Sequence, residues 1–169
     1  MDDLSLLVDL HREGQRQGPG GDDETRLAIT LSGLRGRTGL KIVDIGCGTG
    51  ASTLVLAKAL DASVTAVDFL PDFIRDLDIA AEQENLGERI ETLVASMEAL
   101  PFEAQSFDAI WSEGAIYNMG FANGIKAWRR FLKPHGILAV SELTWLTQER
   151  PAELEQHWMR EYPEVDTAS

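Results

Sequence analysis

Two rhythms of apolar and polar positions alternate along this chain. Short dense apolar runs occur at 41–45 (Lys-Ile-Val-Asp-Ile), 63–67 (Ser-Val-Thr-Ala-Val), 90–95, 107–112 and 136–142. Runs of this length, rich in branched residues and bounded by turn formers, predict strands. Between them, apolar residues recur at helical spacing. The segment 72–86 puts Phe73, Leu77, Ala80 and Ala81 on one stripe, and 123–133 does the same with Ile125, Trp128, Phe131 and Leu132. Helices are also expected at 4–11, 22–31, 51–60 and after Pro151, the last carrying Leu154 and Trp158. Gly33 ends the 22–31 helix and Lys133-Pro-His-Gly136 ends the 123–133 helix. Strands alternating with helices predict an α/β fold: a Rossmann-like open, mainly parallel sheet with helices on both faces.

The first strand runs straight into Gly46-Cys-Gly-Thr-Gly50, and an alanine-rich helix pattern follows at once. Strand, glycine turn and helix together bring backbone N–H groups and a helix N-terminus up to a nucleotide-like ligand. Gly46, Gly48 and Ala51 fit the dinucleotide pattern G-x-G-x-x-G/A. They fit the turn of S-adenosylmethionine-dependent enzymes equally, so the turn leaves both cofactor classes open.

Strand ends supply the candidate polar groups. Asp44 lies inside an apolar strand just before the turn and needs a donor there. The ammonium of a methionine moiety is one such donor; nearby backbone N–H groups are the plainer one. Asp68 closes the second strand, where an acid can accept from both ribose hydroxyls or cap the next helix. Asp72 is also available as that cap. Ser96 and Ser112 end the third and fourth strands. In an open parallel sheet, ligands bind at these carboxyl ends, near the point where strand order reverses.

Two further runs, Ser96-Met-Glu-Ala-Leu-Pro-Phe102 and Ser106-Phe-Asp-Ala-Ile-Trp111, complete a recognisable series. With Trp111-Ser-Glu-Gly-Ala-Ile-Tyr-Asn-Met-Gly-Phe121, the chain resembles the class I SAM-dependent methyltransferases, in particular the bacterial small-molecule group called methyltransferase type 11. The resemblance covers about residues 12–165. It implies S-adenosyl-L-methionine as cofactor, S-adenosylhomocysteine as product, and methyl transfer to a small molecule. It also implies cofactor contacts from Asp44, Gly46, Cys47, Gly48, Gly50, Asp68, Phe69, Ser96 and Met97, with Ser112 near the methionine end. Phe69 and Met97 would sandwich the adenine. On the acceptor side, Glu113 and Tyr117 follow the fourth strand and are the candidate catalytic residues: Glu113 to hold a cationic amine or take a proton, Tyr117 to orient the acceptor. The loop Arg16-Gln-Gly-Pro-Gly20 is a candidate lid.

Charge narrows the partners. The chain has 169 residues and a net charge of −13, with its basic residues scattered. Nucleic-acid binders show a basic face because phosphates dominate affinity, so nucleic acid is disfavoured, and an anionic membrane for the same reason. No apolar run has membrane-spanning length. The single cysteine, Cys47, suits a reducing cytosol and a cytoplasmic enzyme. No histidine partner lies near Cys47 in sequence, and His11, His135 and His157 show no metal-ligand spacing.

One domain is expected over 1–169: N-terminal helices and lid loop at 1–40, a cofactor-binding core at 41–145, and the start of a C-terminal part at 146–169. The resemblance implies a seven-stranded sheet finished by an antiparallel pair, whereas this chain stops at Ser169, soon after its last helix. The apolar strand 136–142 is then expected as an exposed edge, in a fragment or covered by another chain, through which a homo-oligomer can form. Two alternatives remain open: an NAD(P)-binding oxidoreductase, and a module that holds SAM without turnover.

Overall fold

The computed structural model describes residues 16–167. Five parallel strands form one sheet: β1 (Leu40–Ile45), β2 (Ala62–Asp68), β3 (Ile90–Val94), β4 (Phe107–Ser112) and β5 (Leu132–Val140). Their order is β3-β2-β1-β4-β5, so the sheet grows one way from β1 to β3 and the other way from β4 to β5, and the strand order reverses between β1 and β4. The expected α/β architecture is therefore present, with α1 (Asp22–Leu31), α2 (Ala51–Ala59), α3 (Pro71–Gln83) and α4 (Phe121–Trp128) around the sheet. The predicted helix at 4–11 lies outside the described residues.

Alternation along each strand assigns side chains to two cores. Ile42, Val64, Ala109 and Trp111 pack with Ile29, Leu56 and Leu77, on the face covered by α1, α2 and α3. Val43, Ile45, Val67 and Ile110 pack with Ile116, Trp128 and Phe131 on the other face. Trp128 is buried, yet its indole N–H is satisfied by the Met97 carbonyl at 3.0 Å. That bond ties α4 to the loop after β3.

Three boundaries differ from the sequence reading. The helix expected over 72–86 stops at Gln83, because Asn85 takes a left-handed conformation. The helix expected over 123–133 runs 121–128 and tightens into a 3-10 turn at Arg129–Phe131. The strand expected over 136–142 starts at Leu132. Lys133-Pro-His-Gly136, expected as a turn, is an irregularity within β5: Leu132 pairs with Phe107, then Ile137 with Ala109, and His135 between them has φ +63°. The bulge accommodates Pro134, which cannot donate to the ladder.

β5 is the sheet edge, as expected. The chain beyond it forms α5 (Ala152–Glu161) and a short parallel pair, β6 (Thr144–Trp145) with β7 (Asp166–Thr167), separate from the main sheet. Among the described residues the main sheet has five strands, without the antiparallel pair that the resemblance implies for the full fold and that this chain is expected to lack. This C-terminal segment is tied back by Tyr162, which donates to Glu142 at 3.0 Å, and by Glu164, which accepts from the Phe121 N–H at 2.9 Å. No described helix is long and apolar enough to cross a membrane.

Candidate cofactor and acceptor site

The glycine turn is held by the neighbouring strand. The Val67 carbonyl accepts from the N–H groups of both Gly46 and Cys47, at 2.8 and 3.0 Å. Gly46 and Gly50 have positive φ, and each is also packed: a Cβ at Gly46 would lie 2.4 Å from the Ala115 Cβ, and one at Gly50 would lie 2.1 Å from Leu77 Cδ1. Gly50 is therefore required by the core. A Cβ at Gly48, where φ is +56°, would meet the Gln17 side chain at an ordinary contact distance of 3.5 Å.

Asp44 is fully buried beneath this turn. Its Oδ2 accepts from the hydroxyls of Ser52 (2.9 Å) and Thr53 (2.7 Å) in the first turn of α2. Side-chain hydroxyls thus take the place of the backbone donors that the sequence suggested. Its Oδ1 has no partner among the described residues. Burial pushes the carboxyl up to about 6; the two hydroxyls pull against this, and Glu113 adds to the rise. A buried oxygen left unmatched is costly, and a cationic donor reaching it would lower that cost.

Asp68, also buried, accepts from the Gly48 N–H at 2.9 Å through Oδ2 and from the Leu70 N–H at 3.0 Å through Oδ1. It links the end of β2 to the turn and leads the chain into α3. Desolvation raises its pKa despite these backbone donors. Ser112 is buried and donates to the Ile45 carbonyl at 2.8 Å, joining the ends of β4 and β1 across the reversal point.

The remaining candidates divide. Met97 lies against the turn, its methyl 3.5 Å from the position of a Gly46 Cβ. Phe69 and Ser96 stand exposed at the ends of β2 and β3. Cys47 is buried, donates weakly to the Gly48 carbonyl, and burial followed by the charges of Asp44 and Asp68 drives its thiol well above the usual range. That environment makes it inert rather than nucleophilic.

Glu113 is a hub. Oε2 accepts from Arg16 at 2.7 Å and from the Thr25 hydroxyl at 2.9 Å; Oε1 accepts from the indole N–H of buried Trp111 at 2.7 Å. Arg16 also donates to Thr25 at 3.1 Å. The loop 16–20 is thereby drawn over the glycine turn. Between them lies a cleft of about 50 Å³ bounded by residues 16–19, 46–49, 51, 52, 113 and 114. Counting roughly 10–15 Å³ per water, this holds a small polar group and not a purine. Tyr117 is half-exposed in the turn Ile116–Asn118 and shares a second, wider groove with Glu113. From the sequence Arg16 stands out only as part of the candidate lid, and Thr25, Ser52 and Thr53 do not stand out. The one local signal was a hydroxyl pair in an otherwise alanine- and leucine-rich helix, eight and nine residues after a buried acid.

The reversal point, the glycine turn and the two acids define a doubly wound domain of the kind that binds nucleotide-type cofactors. The chain belongs to the methyltransferase-domain family, whose model matches residues 42–136. It is 30% identical over 133 residues to the 27-O-demethylrifamycin SV methyltransferase of Amycolatopsis mediterranei, covering 78% of this chain and 48% of that one. Its fold is similar to that of a SAM-dependent methyltransferase from Geobacter sulfurreducens solved with S-adenosyl-L-homocysteine: TM-score 0.82, 17% identity, 96% of this chain and 65% of that one. The cyclase SpnF shares the fold as well, with TM-score 0.69, 23% identity, and coverage of 89% and 58%. The chain spans 29% and 48% of two curated relatives that it matches.

Proposed function

We propose that this protein transfers a methyl group from S-adenosyl-L-methionine to a small-molecule acceptor. The observation that carries the reading is Asp44 Oδ1, a buried acceptor without a partner under the glycine turn of the segment that matches the family. A methionine ammonium answers that acceptor in charge and size. Family membership also argues against the NAD(P) oxidoreductase, which the turn alone left open.

The bound cofactor supplies an activated methyl group on a sulfonium, so the protein's own work is positioning and exclusion of water. In this reading Asp44 holds the ammonium end, and the turn at 46–50 receives the adenosyl group by close approach to its main chain, since the N–H groups of Gly46, Cys47, Gly48 and Gly50 are already bonded within the fold. Asp68 already accepts two backbone N–H groups, and its remaining lone pairs are offered to the ribose. Phe69 and Met97 flank the adenine, and Ser96 and Ser112 border the site at their strand ends. Loop 16–20, latched by Glu113, closes the cleft behind the cofactor; the cleft's small size requires that loop to lift for entry. Glu113 then serves as a positioning residue, since its oxygens are committed to three donors, and Tyr117 orients the acceptor. The cofactor-binding core at 41–145, the lid-bearing segment before it, and the C-terminal wall at 146–169 act as one domain. The single cysteine supports a cytoplasmic setting.

Calorimetry with SAM, S-adenosylhomocysteine and NADH tests the cofactor. SAM and S-adenosylhomocysteine are expected to bind, and NADH not; Asp44→Asn is expected to weaken SAM about tenfold or more, as loss of a charge-assisted bond does. Methyl release across a panel of amines, phenols and thiols then separates an enzyme from a module that only holds the cofactor. Absence of SAM binding to the wild-type chain overturns the reading.

A further inference from the structure

A groove of about 1260 Å³ opens beside the glycine turn and runs along edge strand β5. It shares Gln17, Gly18, Pro19, Glu113 and Gly114 with the cleft at the turn. It therefore lies next to the cofactor's place in the reading above, across a shared wall. Much of its wall is apolar: Leu31 and Leu146 are 79% and 91% exposed, large side chains left to solvent. Patches of this kind mark ligand or partner sites.

The groove's charge is one-sided. Glu24, Glu113, Glu142 and Glu161 line it, and among the described residues no Lys, Arg or His does. Glu113 is paired with Arg16 and Glu161 with Arg160. Glu142 has no cation among the described residues; it accepts from the Leu143 N–H at 2.6 Å and from the Tyr162 hydroxyl at 3.0 Å. Burial, then the hydrogen bond and charge of Glu142, push that hydroxyl up to about 12, so it remains a donor. The Tyr162 ring stands edge-on to Tyr117, with centroids 6.4 Å apart and planes at 77°. Tyr117 is half-exposed. Two electron-rich rings set nearly perpendicular beside a carboxylate are the surroundings that favour an alkylammonium. An anionic ligand beside these rings would meet Glu142, a carboxylate with no cation among the described residues.

We infer that Tyr117, Tyr162 and Glu142 recognise the ammonium of an amphipathic amine whose apolar body lies along Leu31, Leu143 and Leu146. This rests on the methyltransferase reading only in making that amine the acceptor. The selectivity itself belongs to the groove.

Calorimetry on the full chain, with and without saturating S-adenosylhomocysteine, tests it with octyltrimethylammonium, octan-1-ol and octanoate. The ammonium is expected to bind about tenfold more tightly than the alcohol, and octanoate most weakly. Tyr162→Phe, which keeps the ring, retains most of the preference. The double variant Tyr117→Leu/Tyr162→Leu loses it while its circular dichroism stays native. If that variant does not fold, Glu142→Gln carries the test, and the preference must fall there too. Equal binding of ammonium and alcohol to the wild type overturns the inference, as does a preference that survives in the folded double variant and in Glu142→Gln. Failure of S-adenosylhomocysteine to bind, with the ammonium preference intact, overturns the cofactor reading and leaves this one standing.

Discussion

Arg16 and Glu113 stand 97 residues apart in sequence and 2.7 Å apart in space. Both side chains are about 15% exposed, so solvent screens the pair only in part. The contact fastens the loop before α1 to the end of β4, and the Thr25 hydroxyl and Trp111 indole converge on the same carboxylate. Glu113→Ala takes the acceptor from three donors, leaving the buried Trp111 indole unmatched while Thr25 keeps the Gly21 carbonyl and Arg16 keeps Thr25 and Asp22. The expected cost is roughly 1–3 kcal/mol. At about 2–4 °C per kcal/mol for a domain of this size, melting falls by several degrees. Trypsin is also expected to cut after Arg16 sooner, because the released loop reaches the protease. Glu113→Gln, which keeps shape but not charge, falls between. Unchanged melting and unchanged cleavage in Glu113→Ala would show that the loop is held by something else.

Asp44 makes stability depend on pH in a stated direction. Its folded carboxyl titrates near 6, chiefly through burial, against an ordinary value of 3.8. Between those values the folded state binds more protons than the unfolded state, so stability falls as pH rises. The contribution is fully present below about 3.8 and lost above about 6, and its size is on the order of 3 kcal/mol. Asp68, raised by burial as well, acts with the same sign. Asp44→Asn removes the larger titration. Without cofactor it is expected to be more stable than the wild type near pH 7, and to lose that advantage near pH 4. Urea denaturation across the range measures this. Parallel profiles for the two proteins would rule it out.

Gly46 and Gly48 separate packing from ligand access. Gly46→Ala places a methyl 2.4 Å from the Ala115 Cβ at φ +74°, so both overlap and left-handed strain apply. A loss of roughly 2–5 kcal/mol is expected. Gly48→Ala meets ordinary contact distances and carries only the left-handed cost, about 1–2 kcal/mol. Its methyl nevertheless stands on the cleft side of the turn, against Gln17. Denaturant midpoints should rank Gly46→Ala as the less stable, whereas titration with S-adenosylhomocysteine should show Gly48→Ala weakened beyond its small stability loss. The reverse ranking in stability would mean that Ala115 yields easily.

The parts of this fold legible in sequence are those with local causes. Lys41 to Ala51 carries its own punctuation, an apolar run, three glycines and an alanine helix, and β1, the turn and α2 fall where that pattern puts them. Asp44 and Asp68 were visible as acids at strand ends, because a polar residue in an apolar run is conspicuous. Their partners were not: Ser52, Thr53 and Gly48 reach them through the fold, and Arg16 meets Glu113 only once the sheet is assembled. Lys133-Pro-His-Gly136 misled for a physical reason. Proline and glycine mark turns and bulges alike, and only the register against β4 distinguishes the two. Gly50 shows the same ambiguity, for its φ of +90° and the overlap of a Cβ with Leu77 both favour glycine, as close approach of a ligand would.

Phe69 offers the cleanest separation of binding from stability. Its ring is 50% exposed at the end of β2, directly after the acid that anchors Gly48. A side chain so placed contributes little to the core, and Phe69→Ala is expected to change stability by no more than about 0.5 kcal/mol. Stacking of a base on an aromatic ring is worth about 1–3 kcal/mol, so the same change should weaken S-adenosylhomocysteine by roughly 5- to 150-fold. Met97→Ala makes the contrast, since its methyl packs beside Gly46 and its loss should lower both quantities. Calorimetry and denaturation on the two variants give the comparison. A Phe69→Ala protein that binds S-adenosylhomocysteine as tightly as the wild type would put the adenine somewhere other than against this ring.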